Sequence, residues 1–436
     1  MSHSSHSAHS HFGWGSGGGV TTADGPRRVL LVILAVLAVA TIAGLVALWP
    51  SHARVEHAEA GAPKVAHNVT FPVGTIEIIQ NSCPGYFSSG TAEHLSGPGD
   101  SRACQLAKVR VDSGDAAGTS IVLPVLWPYS KAGLAVGDQV KLMQTPTPKG
   151  AAVQSDAQNG QIASGKGSSF QVYGVVRNQP ILWWVIAFAV AVIAVGALRG
   201  ALALVALGFA GATIAFFTLP SLISGSPGLA VGVCTAAAIM FVVIYLAHGV
   251  SIRSSVALLG TLVGVALTAG IAQLMVATTH LTGVPDDTTS TISTVTSAID
   301  FRGLLTCAII IAGLGALNDI TVTQASAVWE LRIAAPSMSR GQLFASAMRI
   351  GRDHIASTIY TIVFAYVGTA LAVLVTIYLY KRSVFDLLSY DDISTEVVRT
   401  LCSSIGLILA MPVTTGLAIL LLPVHGTQRR PAPAAA

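Results

Sequence analysis

Eight long apolar runs lie along the chain, and one polar block, residues 50–179, separates the first run from the other seven. About 20 apolar residues match the hydrocarbon thickness of a bilayer, where only helices and closed barrels satisfy the backbone. The pattern predicts a mainly α membrane protein with eight transmembrane helices. The predicted spans are Val29–Trp49, Ile181–Leu198, Ala201–Leu219, Gly228–Ala247, Val256–Ala277, Gly303–Leu317, Ile355–Tyr380 and Leu401–Val424.

Short runs with an alternating pattern fill the polar block between the first two predicted helices. Clusters of Gly, Pro, Ser and Asp separate them, which is turn chemistry. Five such strands predict a small β-barrel, similar to an OB-fold, inserted between helices 1 and 2. The predicted strands are Val65–Ile79, Leu106–Val111, Thr119–Leu126, Gln139–Met143 and Phe170–Val176. His52 to Pro63 is interpreted as a linker, and residues 145–169 as a loose loop within this domain.

Composition supports the membrane class and excludes several classes of function. The chain is 52% hydrophobic and 10% charged, whereas soluble domains average about 25% charged. The net charge of +4 is not clustered, and no nucleic-acid-binding signature is present. No metalloprotease, nucleotide-binding or haem motif appears. We therefore expect no enzyme activity, no cofactor, no metal centre and no nucleic-acid partner.

The chain divides into five predicted segments. Residues 1–28, rich in His, Gly and Ser, are predicted to be a disordered cytoplasmic tail; their histidines either bind a divalent metal or are simply solvated. Residues 29–49 form an uncleaved anchor, and 50–179 the extracytoplasmic β-domain. Residues 180–424 form the seven-helix domain, and 425–436 a cytoplasmic tail.

Basic residues in short loops predict the orientation, because such loops stay in the cytoplasm. Arg27 and Arg28 precede the first span, so both termini of an eight-helix protein are predicted to be cytoplasmic, in the plasma membrane. The β-domain then lies outside the cell, where Cys83 and Cys104 are favoured to form a disulfide, with two free thiols as the alternative.

The first candidate site follows the sixth predicted span, at Asn318 and Asp319. Charged groups at membrane depth are costly and mark ion paths or gates. If the helix continues, Asp319, Thr323, Ser326 and Glu330 share one face. The alternative is that Asn318 or Asp319 caps a new amphipathic helix on the inner surface.

The second candidate site precedes the seventh predicted span, at Arg349, Asp353 and His354. Arg349 and Asp353 are four residues apart and can pair along one helix face, and Arg253 is a second possible partner for Asp353. His354 is either a proton-pathway group or a simple interfacial histidine.

The third candidate site lies in the last predicted span, where Pro412 removes a helix hydrogen bond. Thr414 and Thr415 follow directly and would line a polar pocket if the helix breaks there. Elsewhere, Gly228 with Gly232 and Gly260 with Gly264 fit close contact between helices.

Three stretches carry a family resemblance: Gly313–Leu331, Gly351–Gly368 and Ala247–Thr261. On these stretches the chain resembles the YibE/F family of bacterial membrane proteins, over about Asn68 to Val424. The resemblance implies a multi-pass architecture and a permease-like role without a known substrate, and it directs attention to Asp319 and Asp353.

Two functions fit these patterns. The first is a secondary transporter or permease for a small molecule or ion, coupled to protons or ions through Asp319 and Asp353. The second is a non-transporting scaffold or sensor in the lipid bilayer, whose outer β-domain binds a cell-envelope protein. The sequence favours the first, because polar residues cluster around spans six and seven, and it leaves the oligomeric state open.

Overall fold

The computed structural model describes residues 24–59, 69–81, 105–126, 128–146, 162–164, 168–284, 299–381 and 388–422. The chain forms two compact units. One comprises residues 62–190, and the other comprises residues 1–61 together with 191–436.

The described part of the chain is mostly helical. Its helices are α1 (Asp24–Ala47), α2 (His52–Glu59), α3 (Asn178–Thr213), α4 (Leu219–Ile223), α5 (Gly228–His248), α6 (Ile252–Thr278), α7 (Phe301–Ala334), α8 (Arg340–Thr369), α9 (Leu371–Leu379) and α10 (Asp391–Leu421). A π-helical turn, Ile214–Thr218, joins α3 to α4. The helix α2 forms the first eight residues of the segment His52 to Pro63, which was interpreted as a linker.

The β-domain is one antiparallel sheet of six strands. Its strands are β1 (Val73–Gln80), β2 (Gln105–Val111), β3 (Ser120–Val125), β4 (Gln139–Pro146), β5 (Ile162–Ser164) and β6 (Ser168–Val175). They pair in the order β3-β2-β1-β4-β6-β5. The edge strand β3 approaches β6 and β5, so the sheet is nearly closed and barrel-like.

Period-two alternation builds the core of this domain. Ile76, Leu123, Leu142 and Phe170, from four different strands, are fully buried against one another. The five predicted strands are present, and β5 adds a sixth within residues 145–169, which had been predicted as a loose loop. A three-residue edge strand of Ile, Ala and Ser carries too little pattern to be recognised from sequence.

Six described helical stretches are long and apolar enough to cross a membrane, or seven if α8 and α9, bent by 60° at their junction, count as one span. The chain is thus a multi-pass membrane protein. The prediction of eight spans divides residues 178–223, one of these stretches, at Arg199 and Gly200. Two helices meet within this stretch at a kink at Ala197, whose backbone is non-helical (φ 47°, ψ −133°), two residues before the predicted division. Gly200 packs on the Val192 carbonyl.

Three helices extend well beyond their predicted spans. α7 runs through Asn318 to Ala334, because no proline or glycine interrupts it between Gly315 and Pro336. The alternative, in which Asn318 or Asp319 caps a new helix, was therefore wrong. α8 begins at Arg340, where Ser339 and Gln342 form a capping box. α10 begins at Asp391, ten residues before the predicted span.

Small residues bring the bundle helices together. Gly228 at the start of α5 touches the backbone of Gly303 on α7, and a side chain at Gly232 would meet the Cα of Cys307 at 3.0 Å. Gly260 of α6 contacts Thr414 of α10. These contacts confirm the predicted close approach at the glycine pairs.

Candidate functional site

The three predicted site segments meet around one buried amide, that of Gln324 on α7. Its Nε2 donates to the Ala347 carbonyl on α8 at 3.0 Å and to the Thr415 hydroxyl on α10 at 2.8 Å. Gly351 of α8 leaves room for this group, because a Cβ there would lie 2.8 Å from the Gln324 Oε1 and 2.6 Å from the Met411 Sδ. The three segments therefore meet at a neutral amide and not at a charged side chain.

The predicted acidic face of α7 points away from this junction. Asp319 and Glu330 are exposed, and Thr323 is half-buried. Glu330 accepts a hydrogen bond from Arg253 Nη1 of α6 at 3.4 Å. Asp319 forms no ion pair with any residue that the structure describes, whereas the Asn318 Oδ1 beside it is buried and lacks a donor there.

The predicted group on α8 also lies on an outer face. Arg349 and Asp353 are exposed and form no ion pair within the described ranges, so their predicted pairing was wrong, as was that of Asp353 with Arg253. Asp353 and His354 line a shallow depression of about 320 Å³ together with Ile350 and Ser357. The four described lining residues all belong to α8.

Pro412 lies inside a continuous α10, so the helix break considered at this position does not occur. Proline cannot donate to the carbonyl four residues earlier, yet α10 continues to Leu421. Thr414 and Thr415 are fully buried, and their hydroxyls donate to the carbonyls of Ala410 and Met411 at 2.8 and 2.9 Å. Thr415 also accepts from Gln324, which makes it part of the junction.

A line of buried polar side chains runs between α6, α7 and α10, and we call it the polar seam. Its members are Thr261, Thr268, Thr321, Gln324, Ser403, Ser404, Thr414 and Thr415. The Thr261 and Thr321 hydroxyls lie 2.6 Å apart and link α6 to α7. The hydroxyls of Thr268 and Ser404 are buried with no partner among the described residues, which is the usual setting for an ordered water.

One apolar layer divides the polar seam. Leu317 of α7 is fully buried there, and a Cβ at Gly264 would lie 2.9 Å from its side chain and 2.9 Å from the Ala410 Cβ. Thr261, Thr321 and Thr414 lie on one side of this layer. Thr268, which packs on Gly406, and Ser403, which packs on Gly313, lie on the other.

A further charged pair lies near the start of α10, and the sequence analysis did not select it. Glu396 and Arg399 form an ion pair of 3.1 Å and are both mostly buried. The Arg399 guanidinium lies 5.9 Å from the Tyr366 ring centroid on α8. The signal was available as two charges three residues apart, but beginning the predicted span at Leu401 assigned both residues to a loop.

Cys83, Cys104 and the N-terminal histidines lie outside the described residues. Within the described ranges, no three His, Cys, Asp or Glu side chains gather in a way that could hold a metal ion.

Comparison with known proteins assigns the helical part of the chain to a protein family. The family model for YibE/F-like protein matches residues 184–424, more than half of the chain, and does not reach the β-domain that the resemblance had included. Searches of curated proteins and of solved structures found no match. The chain therefore belongs to the YibE/F-like protein family.

Proposed function

We propose that this protein is a secondary permease of the plasma membrane that moves a small polar solute or an ion along the polar seam. The observation that carries the proposal is a polar line inside an apolar bundle, closed by the single layer at Leu317. Polar groups in a membrane bundle face a cavity or each other, because lipid offers them no hydrogen bonds.

The chemistry of the polar seam suits a hydrated solute. Hydroxyls and amides both donate and accept hydrogen bonds, so they can replace water molecules around a passing ion or polar group. A hydrophobic constriction between two polar stretches is a known way to hold such a path shut. Leu317 is the side chain in the position to do this.

Charged groups flank the polar seam. Asp319, which lies between Leu317 and Thr321 along α7, and Asp353 of α8 are exposed on its outer side, and we assign them to an inner entrance that collects protons or cations. Glu396 and Arg399 lie beyond Ser403, at the end of the polar seam where α10 begins. A mostly buried ion pair beside Tyr366 is suited to closing that outer end.

The proposed arrangement in the membrane has eight crossings with both termini in the cytoplasm. Two features support the count: the break at Ala197 within residues 178–223, and the bent pair α8–α9 taken as one span. A straight helix of 46 residues would measure about 69 Å, twice what a bilayer needs. We assign the nearly closed sheet to an OB-like barrel outside the cell.

A proton-leak assay tests whether the polar seam is a permeation path, and it does not require the solute to be known. The full chain is reconstituted in liposomes that contain a pH-sensitive dye, and a potassium diffusion potential drives proton entry. Leu317→Ala removes most of the apolar layer, so these vesicles should acidify at least tenfold faster than wild-type vesicles. Adding Asp319→Asn to Leu317→Ala should reduce that leak, if the carboxylate supplies protons to the path.

The matched control is Leu343→Ala on α8, which truncates an equally buried leucine that is not part of the polar seam. Both variants are first compared by size-exclusion profile, so that misfolded protein does not imitate a leak. Equal proton entry with Leu317→Ala and Leu343→Ala would contradict the permease proposal.

The exposure of Asp319 and Asp353 favours the second candidate function, a membrane scaffold or sensor whose β-domain binds a cell-envelope protein. Such a protein needs no path along the polar seam. Its function would be lost on deleting residues 64–176, and Asp319→Asn would have little effect on it.

A further inference from the structure

Two aromatic side chains stack on the outside of the β-domain. Phe71, just before β1, is 43% exposed, and Tyr173 of β6 is 53% exposed. Their ring centroids are 4.8 Å apart at an interplanar angle of 56°. Lys141 of β4 places its ammonium 6.0 Å from the Phe71 centroid. We call these three residues the aromatic patch.

The domain's own core does not explain the aromatic patch. That core closes around Ile76, Leu123, Leu142 and Phe170, and it does not include Phe71 or Tyr173. The Tyr129 hydroxyl donates to the Tyr173 carbonyl at 2.6 Å and so holds the backbone that carries the Tyr173 ring. A fixed apolar surface beside a cation is more typical of a contact surface than of a solvated face.

The chain itself holds the aromatic patch close to a bilayer. Tyr173 lies five residues before α3 begins at Asn178, and five extended residues reach at most roughly 18 Å. Trp183 and Trp184 follow in the first two turns of α3, and both are highly exposed. Paired tryptophans at the start of an apolar helix mark the membrane–water interface.

We propose that the aromatic patch is a lipid-binding surface that seats the β-domain on the headgroup region of the bilayer. Phe71 and the ring of Tyr173 would insert at the acyl boundary, where amphipathic aromatic side chains concentrate. Lys141 would pair with lipid phosphate groups above them. The proposal does not depend on transport, because both a permease and a scaffold would bind lipid through the aromatic patch.

Fluorescence quenching by brominated lipids tests this contact in the full chain. Phe71→Trp adds one tryptophan to the six of the native sequence, and its emission is the difference between the variant and the wild-type protein. In nanodiscs made of phospholipids brominated near the top of the acyl chain, this added emission should fall by at least half relative to unbrominated nanodiscs.

The control is Ile78→Trp, which changes a residue that is 49% exposed near the far end of β1. Seven residues of strand separate positions 71 and 78, about 23 Å. The added emission of Ile78→Trp should change by less than a tenth. If Phe71→Trp does not yield folded protein, Tyr173→Trp takes its place in the same measurement.

Equal emission of the patch tryptophan in brominated and unbrominated nanodiscs would overturn the proposal. That result is expected if a cell-envelope protein is the true occupant, because the nanodisc contains only this chain and lipid. Strong quenching at both positions 71 and 78 would also contradict it, since the contact would then not be confined to the patch.

Discussion

The stretch from α3 to α4 and the helix α6 differ in burial. The more apolar of the two is the less buried, which is the opposite of what soluble proteins show. The stretch from α3 to α4 is the more apolar of the two, yet none of its most apolar 18-residue window is buried. In the corresponding window of α6, 67% of the residues are buried. Lipid is as apolar as a leucine side chain, so hydrophobicity alone does not drive a membrane helix into the interior.

Small and polar residues make the difference between the two regions. α6 places Gly260, Thr261, Gly264 and Thr268 against α7 and α10. In α3, Gly208 and Gly211 have open space where a side chain would be. Close backbone approach and hydrogen bonds hold the packed helices together, whereas a uniformly apolar surface satisfies a helix that faces lipid.

The largest effect is expected from adding one methyl group where two packed helices touch. Gly228→Ala would place its Cβ against the backbone of Gly303, which cannot move away as a side chain could. We expect a loss of about 3 kcal/mol in stability, measured as a fall in the thermal unfolding midpoint of the purified protein in detergent.

Gly211→Ala is the matched change in α3, where nothing lies within 4 Å of the new Cβ. Its midpoint should stay the same or rise slightly, because alanine favours the helix over glycine. Similar losses for the two variants would remove the distinction between packed and lipid-facing glycines.

A smaller effect is expected at the buried amide. Gln324→Leu removes the hydrogen bonds to the Ala347 carbonyl and the Thr415 hydroxyl and leaves both groups without that partner. The expected cost is about 1–2 kcal/mol, read from the same unfolding midpoint. Gln273→Leu, an exposed glutamine of α6, is the control and should change the midpoint little; an equal effect would show that burial does not decide the outcome.

The smallest effect is expected at an ion pair in water, on the β-domain. The hydrogen bond from Lys108, at 3.2 Å, is the main cause that lowers the pKa of Glu77. Desolvation opposes it, and the hydrogen bond from Ser120 adds to the lowering. A lowered pKa stabilises the fold above the ordinary glutamate pKa, and this contribution is lost as the pH falls through the folded value.

Glu77→Gln should therefore lower the unfolding midpoint only slightly at pH 7, because exposed pairs contribute little. The difference from wild type should shrink as the pH is lowered from 7 to below the ordinary glutamate pKa. If the difference between the two unfolding midpoints grew as the pH fell, it would contradict the assigned lowering of the Glu77 pKa.

The candidate site shows where sequence analysis reached its limit. The segments around Asn318, Arg349 and Pro412, predicted as three separate candidate sites, meet through Gln324, Gly351 and Thr415. Asp319 and Asp353, which were selected for their charge, are exposed, whereas the neutral Gln324 is buried. Charge is the visible signal in a sequence, whereas packing is decided by volume and hydrogen bonding.

The sequence by itself determined the membrane class, the approximate positions of the apolar helices, the strands of the β-domain and the family. The membrane class, the helices and the strands follow from composition and from local periodicity, which each segment carries alone, whereas the family follows from the resemblance of three motif stretches. Only the tertiary structure decided which face of each helix turns inward, where α7 and α10 begin and end, and that Leu317 divides the polar seam. In lipid, an inward and an outward face can be equally apolar, so the pattern along one helix does not identify its neighbours.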